Sequence, residues 1–313
     1  MMRALHFFAP TSAASPYPAK RARRARAAVA SVALAVALVV GASPLAATAA
    51  KPTTPPGGGG GGGSTGELAI PKTMAAAGDS ISVATNNTLT CTLLGGCAAA
   101  SWTTGSTTSV DSHFLRLKDY NKRITMRNAA FSGATMADLN GQFSSILSGG
   151  YRPGYLTVLI GANDICGTSL TETAVFRQQF TTAMTNLYAT SPGTSVFVAS
   201  IPDLKRLYDL LASNSTAQSR WAQYAVCPLM LGVGVDQAPA MARLAEFNQV
   251  LQEVCTSFNS AATPNRCKYD GGAVFNTDFV VTDVSTVDYF HPSTSGQKKL
   301  AAVAWGASFW PTK

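Results

Sequence analysis

The sequence predicts an α/β domain, a parallel sheet with helices on both faces. Two observations carry this. Short apolar runs with strand character recur along the chain, and longer stretches with helical spacing separate them. One of the runs, Leu156–Ile160, is apolar without alternation, as expected of a strand buried on both faces.

The elements follow in order. Thr73–Ala77 is the first strand; its small residues Ala75, Ala76 and Ala77 fit a strand whose neighbours approach closely. Ser112–Asn121 has helical spacing in Phe114, Leu115, Leu117 and Tyr120. Ile124–Asn128 is the second strand, and Thr135–Leu147 a helix. After Leu156–Ile160 come a long helix at Thr171–Ala189 and a buried strand at Ser195–Ile201. Pro239–Asn259 is helical, with Met241, Leu244, Phe247, Val250, Leu251 and Val254 on one side. Ala273–Phe275 is read as the last strand and Ser293–Phe309 as the closing helix. No second linker or internal repeat interrupts residues 68–313, so they form one domain.

The residues before that domain read as targeting and tether. Arg21, Arg23, Arg24 and Arg26 form a basic region ahead of the apolar run Ala27–Val40, and Ala47-Thr48-Ala49 is an Ala-x-Ala cleavage pattern. Residues 1–49 are therefore expected to be a signal peptide and the protein secreted, by the general route rather than the twin-arginine one. An uncleaved anchor is the alternative, although the run is shorter than the ~20 residues that span a bilayer. No stable membrane insertion is expected after cleavage. Residues 50–67, with Pro55-Pro56 and seven successive glycines, cannot build a core and should form a flexible linker. The full chain carries +8, but removal of residues 1–49 leaves 18 basic against 16 acidic residues. The charge thus gives no reason to expect a nucleic-acid partner.

Six cysteines, Cys91, Cys97, Cys166, Cys227, Cys255 and Cys267, all follow the signal peptide. An even count in an exported chain points to three disulfides. Of the 15 possible pairings, nearest neighbours are favoured: Cys91–Cys97, Cys166–Cys227 and Cys255–Cys267, because the first and third close short loops. Zinc is disfavoured, since no Cys-x-x-Cys pair exists and only two histidines, His113 and His291, lie beyond the signal peptide.

The chemistry centres on Gly78-Asp79-Ser80-Ile81-Ser82. The glycine lets the chain turn sharply after the first strand. Ser80 then stands at the carboxyl edge of a parallel sheet, where ligands bind in this class of fold. A lone Gly-Asp-Ser more often marks an ordinary turn, so partners decide the matter. A nucleophilic serine needs a base, a group that orients the base, and donors for the oxyanion. His113 lies in a helical pattern and reads as a surface or half-buried helix residue. His291, in Asp288-Tyr289-Phe290-His291-Pro292, is the candidate base; Pro292 bars a regular helix there and holds the loop extended. Asp288 can reach the imidazole or can merely cap a turn; the sequence leaves both open. At the same sheet edge, Gly161-Ala162-Asn163-Asp164 offers the Asn163 amide, and Asn128 through Ala134 offers the backbone N–H of Gly133, where a missing side chain leaves room. Each alone is an ordinary strand-to-helix turn.

Together the four segments resemble the SGNH hydrolases, the GDSL lipase/esterase family, in block order. Gly78-Asp79-Ser80 resembles the serine block, with Ile81 in place of the commoner Leu. Asn128–Gly133 resembles the glycine block, Gly161–Asp164 the asparagine block, and Asp288–His291 the last. The likeness runs from about residue 68 to 310, and the six-cysteine pattern resembles secreted actinobacterial members. It implies a flavodoxin-like three-layer α/β/α sandwich. It implies a serine esterase or lipase in which Ser80 attacks an ester carbonyl, His291 moves the proton and Asp288 orients His291. The N–H groups of Ser80 and Gly133 and the amide of Asn163 would hold the oxyanion. No metal or organic cofactor is implied, and a monomer acting on an acyl ester, lipid or acetylated sugar is expected. Asp79 is expected to support the turn rather than act as a base. No Gly-x-Ser-x-Gly pentapeptide surrounds Ser80, against an α/β-hydrolase elbow. The other readings are an acyltransferase or polysaccharide acetylesterase on the same site, and a non-catalytic binding protein. Segment 83–112, with Leu93, Leu94 and Trp102, should form a loop beside the site. Segment 203–236, with Leu204, Leu207, Tyr208, Leu210, Leu211, Trp221 and Tyr224, either walls an acyl pocket or fills the core of covering helices.

Overall fold

The computed structural model describes residues 68–93, 97–263 and 266–310. The expected signal peptide and linker lie outside the described residues, as does Leu94. In chain order the elements are β1 (Thr73–Gly78), α1 (Leu89–Leu93), α2 (His113–Tyr120), β2 (Thr125–Asn128), α3 (Leu139–Leu147), β3 (Tyr155–Leu159), α4 (Asn163–Cys166) and α5 (Thr173–Thr190). Then come β4 (Ser195–Val198), α6 (Leu204–Leu211), α7 (Ser215–Tyr224), α8 (Pro228–Leu231), α9 (Ala238–Ser257), β5 (Cys267–Tyr269) and α10 (Thr294–Gly306).

The strands form one parallel sheet in the order β2-β1-β3-β4-β5. This is the flavodoxin-like order, whose switch point lies between β1 and β3. There Gly78 pairs with Leu159, so β1 and β3 end side by side. Strand residues alternate between two cores, as the pleat requires. Ala75, Ala77, Leu156, Val158, Val196 and Val198 face the core shared with Phe143 of α3, Phe180 of α5 and Phe247 of α9. Met74, Tyr155, Leu159 and Phe197 face the core built with Leu117 of α2 and Leu300 and Trp305 of α10. Helices therefore cover both faces of the sheet, giving three layers. The Phe176 and Phe247 rings stack at 3.9 Å and join α5 to α9.

Two sequence expectations need correction here. The last strand is Cys267–Tyr269, not Ala273–Phe275. Gly271 (φ +70°) and Gly272 (φ +85°) turn the chain immediately after it. The Asp270 carboxylate fixes that turn by accepting the N–H groups of Gly272 and Val274 and, across the sheet, that of Ser200. Lys268 hid the strand: at the sheet edge its stem can lie along the protein while Nζ donates to Ser308 O at 2.6 Å. The second correction is His113, which is fully buried. It sits edge-on to Trp102 and Trp305, and Nδ1 shares a 2.9 Å hydrogen bond with the Tyr155 hydroxyl. Burial, with Arg116 nearby, pushes its pKa down to about 3, so it is a neutral core residue. Segment 203–236 forms three short helices, α6, α7 and α8, and each of its two readings finds residues: some of its side chains fill the core and others line a pocket.

The sulfurs pair as Cys91–Cys97, Cys166–Cys227 and Cys255–Cys267. The second bond ties α4, at the sheet edge, to the start of α8; the third ties α9 to β5. No helix among the described residues is long and apolar enough to cross a membrane.

Candidate active site

Ser80 stands on a turn fixed from several sides. Gly78 ends β1 at φ +149°, and a Cβ there would lie 2.3 Å from Leu159 O and 2.7 Å from Ser82 Oγ. Only glycine lets β1 and β3 approach so closely at this edge. The buried Gln142 amide accepts Gly78 N–H at 2.7 Å and donates to Gly78 O at 2.9 Å. The chain then turns with Ser82 N–H on Asp79 O and Thr85 N–H on Ser80 O. Gln297 of α10 donates to Ile81 O at 2.9 Å, and Asn128 at the end of β2 donates to Ser82 O at 3.0 Å. Buried side-chain amides thus hold the turn in place of the ladder bonds it has left.

His291 comes from the loop before α10. Val284 and Pro292 pair as an isolated bridge, and Ser285 N–H donates to His291 O at 2.8 Å. Between them the chain is a tight turn with Tyr289 at φ +57°, rather than the extended loop expected from Pro292. The two readings of Asp288 both hold, one on each oxygen. Oδ1 accepts the N–H groups of Phe290 and His291, both at 3.0 Å, and so caps the turn. Oδ2 meets His291 Nδ1 at 2.6 Å. Burial alone would raise the Asp288 carboxyl. The hydrogen bond and charge of His291, with help from Asn86, outweigh it and hold the group below its ordinary value. It is therefore a carboxylate at neutral pH, and it fixes Nδ1 as the protonated nitrogen. The opposite nitrogen, Nε2, is buried and has no hydrogen-bond partner among the described residues.

Ser80, Asn163 and His291 line one pocket. Ser80 Oγ and His291 Nε2 share no hydrogen bond; contacts of this kind commonly tighten only when substrate binds. Asn163 opens α4, and its Nδ2 donates to Ala134 O at 2.9 Å. One N–H of that amide is thereby used for orientation, and the other is left over. Asp164 Oδ2 accepts Met136 N–H at 2.9 Å, a second staple between the same segments. Burial pushes the Asp164 carboxyl up to about 6. Gly133 has φ +81°, and a Cβ there would meet nothing within 4 Å. Its glycine is set by backbone conformation rather than by crowding from protein. Gly133 does not line the pocket itself but adjoins Ala134, which holds Asn163. The N–H groups of Ser80 and Gly133 donate to no described residue.

Asp79 is the one wholly buried carboxyl in the serine turn. Oδ1 accepts Ile81 N–H at 3.0 Å, while Oδ2 has no partner among the described residues. Burial raises its pKa to about 7, against the pull of the Ile81 N–H and the His291 charge. The folded chain thus keeps a proton that the unfolded chain releases above about pH 4. Stability is expected to fall as pH rises from about 4 to about 7, by up to about 1.4 kcal/mol per pH unit. Asp79→Asn has no proton to lose. Chemical denaturation should find it more stable than the parent at pH 8 and close to it at pH 4.

The pocket is an apolar slot between α6 and the loop that carries His291. Leu204, Leu207 and Leu210 of α6 face Phe279, Val284 and Phe290. Of the residues expected to wall it, Leu211 and Trp221 are instead buried core, and Tyr208 packs against that core. Arg206 closes one side, with Nε on Phe279 O at 2.9 Å and a guanidinium–carboxylate contact to Asp278 at 3.0 Å. A second, wider groove of about 970 Å³ lies on the other side of the His291 loop, lined by Asn86, Asn87, Thr92, Arg220, Tyr224 and Asp288 among others. Trp102 is buried in the core beneath the serine turn rather than at the pocket. No group of three or more His, Cys, Asp or Glu side chains suited to a metal occurs among the described residues.

Reasoning from sequence missed the supporting amides. Gln142 and Gln297 sit on the apolar faces of α3 and α10, and a lone glutamine in such a stripe is the signal that would have found them. Asn86, which donates to Asp288 Oδ2 at 2.7 Å, lies 202 positions away in the chain and gave no local signal.

The chain matches no curated protein sequence. Among solved structures it is similar to TesA (TM-score 0.46, 17% identity, covering 75% of this chain and 97% of that one). It is also similar to the extracellular lipase of Streptomyces rimosus (TM-score 0.43, 18% identity, 76% and 100% covered). A third is an active-site mutant of a family two carbohydrate esterase from Clostridium thermocellum (TM-score 0.45, 14% identity, 75% and 63% covered). The family model for GDSL-like lipases and acylhydrolases matches residues 76–299, a span that holds all four site segments. The chain belongs to the GDSL-like lipase/acylhydrolase family.

Proposed function

We propose that the protein is a secreted serine esterase acting on carboxylic esters with short apolar acyl groups. One observation carries the reading: Asp288 holds His291 by Nδ1, and the free Nε2 faces the pocket that Ser80 and Asn163 also line. In the first half-reaction Ser80 Oγ attacks the carbonyl carbon while its proton passes to His291 Nε2. Asp288 stabilises the imidazolium. The oxyanion takes hydrogen bonds from the N–H groups of Ser80 and Gly133 and from the second N–H of Asn163. The tetrahedral intermediate collapses, the carbon–oxygen bond to the alcohol breaks, and His291 returns the proton to the leaving oxygen. Water, deprotonated by His291, then releases the acid and regenerates Ser80.

The slot supports the acyl class. Its space of about 60 Å³ is far below the roughly 300–1,000 Å³ of sites for drug-sized ligands, and its walls are leucine, valine and phenylalanine. Hydrolysis of p-nitrophenyl esters from acetate to palmitate tests this. The optimum is expected at butanoate or shorter, with palmitate slower by at least about tenfold, and Leu207→Ala should move the optimum to longer chains. A palmitate optimum in the parent would remove the short-acyl reading. The wider groove beside His291 sets Asn86, Asn87, Arg220 and Tyr224 among leucine and valine side chains; those polar groups support, as a second reading, acetylated sugars as natural esters. Three disulfides and the N-terminal pattern support export.

A further inference from the structure

We propose that Asn86 is a positioning residue for the Asp288–His291 pair, and that it holds the carboxylate oxygen shared with the imidazole. The proposal rests on the hydrolase reading above for its kinetic part only. Asp288 Oδ2 meets two side-chain nitrogens, His291 Nδ1 at 2.6 Å and Asn86 Nδ2 at 2.7 Å. With the two backbone N–H groups on Oδ1, the carboxylate has four partners among the described residues, and Asn86 is the only one of these from outside the His291 loop.

The amide is itself oriented. Thr92 Oγ1, whose single proton is shared between Thr88 O at 3.0 Å and Asn86 Oδ1 at 3.1 Å, lies against the amide oxygen, and Nδ2 faces Asp288. Ser285 Oγ donates to Asn86 O, so the His291 loop also grips the Asn86 backbone. Asn86 stands at φ +51°, a left-handed conformation that asparagine tolerates better than most residues. Thr92 shares α1 with Cys91, whose disulfide to Cys97 braces that helix. The serine turn thus reaches across 202 positions to fix the base that serves its own nucleophile.

Removing the Asn86 donor concentrates the carboxylate charge on the imidazole. The imidazolium is then held more strongly, and the orientation of Asp288 loosens. The substitutions leave the other titratable and charged groups around the pair in place: Asp79 in the serine turn, which itself changes charge near pH 7 in parent and variants alike, Asp203 and Arg206 at α6, Asp283 in the loop before His291, and Arg220 of α7.

The test uses Asn86→Gly, which keeps the left-handed backbone unstrained, and Asn86→Asp, which keeps the shape but replaces a donor with a charge. In the full chain, Asn86→Gly should lower kcat by about 10–100-fold, the scale of lost outer partners at other sites, with KM within about twofold. The acid limb of the pH profile should move to higher pH, further in Asn86→Asp. Thr92→Val should give a smaller shift in the same direction. A second readout needs no ester: the NMR titration of the imidazole resonance that disappears in His291→Ala. It should move to higher pH in both Asn86 variants, whether or not the chain hydrolyses any ester tried. His113, pushed down to about 3, does not titrate in that window. An unchanged imidazole titration, or a kcat loss without movement of the acid limb, would overturn the proposal.

Discussion

Ser80→Ala and His291→Ala are each expected to lower kcat for ester hydrolysis by roughly 10⁶-fold, and the double variant by no more than either alone. On the proposed mechanism the two side chains act on one proton in one step, so removing either removes the whole of that contribution. Residual turnover should remain above the uncatalysed rate, because the oxyanion donors and the slot are untouched. Neither loss should come from unfolding. Ser80 Oγ makes no side-chain bond that holds the turn; Gln142, Gln297 and Asn128 do that. In His291→Ala, Asp288 keeps Asn86 and two backbone N–H groups, so its carboxylate stays hydrogen-bonded. Single-turnover rates with thermal melts of each variant separate chemistry from stability.

The second large effect is expected at Asn163. Asn163→Ala should lower kcat by about 10²–10³-fold, the usual consequence of removing one oxyanion donor, with KM little changed. The amide is oriented in the ground state by Ala134 O; on the proposed mechanism its other N–H serves the transition state, and only that use affects the chemical step. Loss of the bond to Ala134 O costs about 1 kcal/mol of stability. Asn163→Asp is expected to be worse than alanine, because a carboxylate oxygen would face the developing oxyanion. Equal kcat in the parent and Asn163→Ala would remove Asn163 from the hole.

The contrast between Ser80 and Asn86 shows what a sequence displays. The central strands were legible because their runs are apolar and short, and Gly78 because strand ends that meet this closely exclude a Cβ; at Gly161 a Cβ would instead meet the Ile201 and Phe176 side chains. The site segments were legible because each follows its own strand or precedes the last helix. The last strand was not, since Cys267-Lys268-Tyr269 has neither the length nor the apolarity of a buried strand and is held by a disulfide and a side-chain bond. His113 reads as a helix-surface residue because nothing local shows that two tryptophans and a tyrosine enclose it. Asn86, Gln142 and Gln297 act through contacts 64 to 216 positions apart, which only the folded chain brings together. The four segments of the site also carry local reasons for their residues; of the supporting amides, Gln142 and Gln297 show only as lone glutamines in apolar stripes, and Asn86 shows nothing.

The most direct test of the central claim is covalent. Incubation of the full chain with an alkyl fluorophosphonate, followed by intact mass and peptide mapping, reads the nucleophile without assuming a substrate. One adduct per chain, on the peptide containing Ser80, absent in Ser80→Ala and slowed in His291→Ala, is the predicted result. An adduct on another residue, or none on folded protein, would contradict Ser80 as the nucleophile.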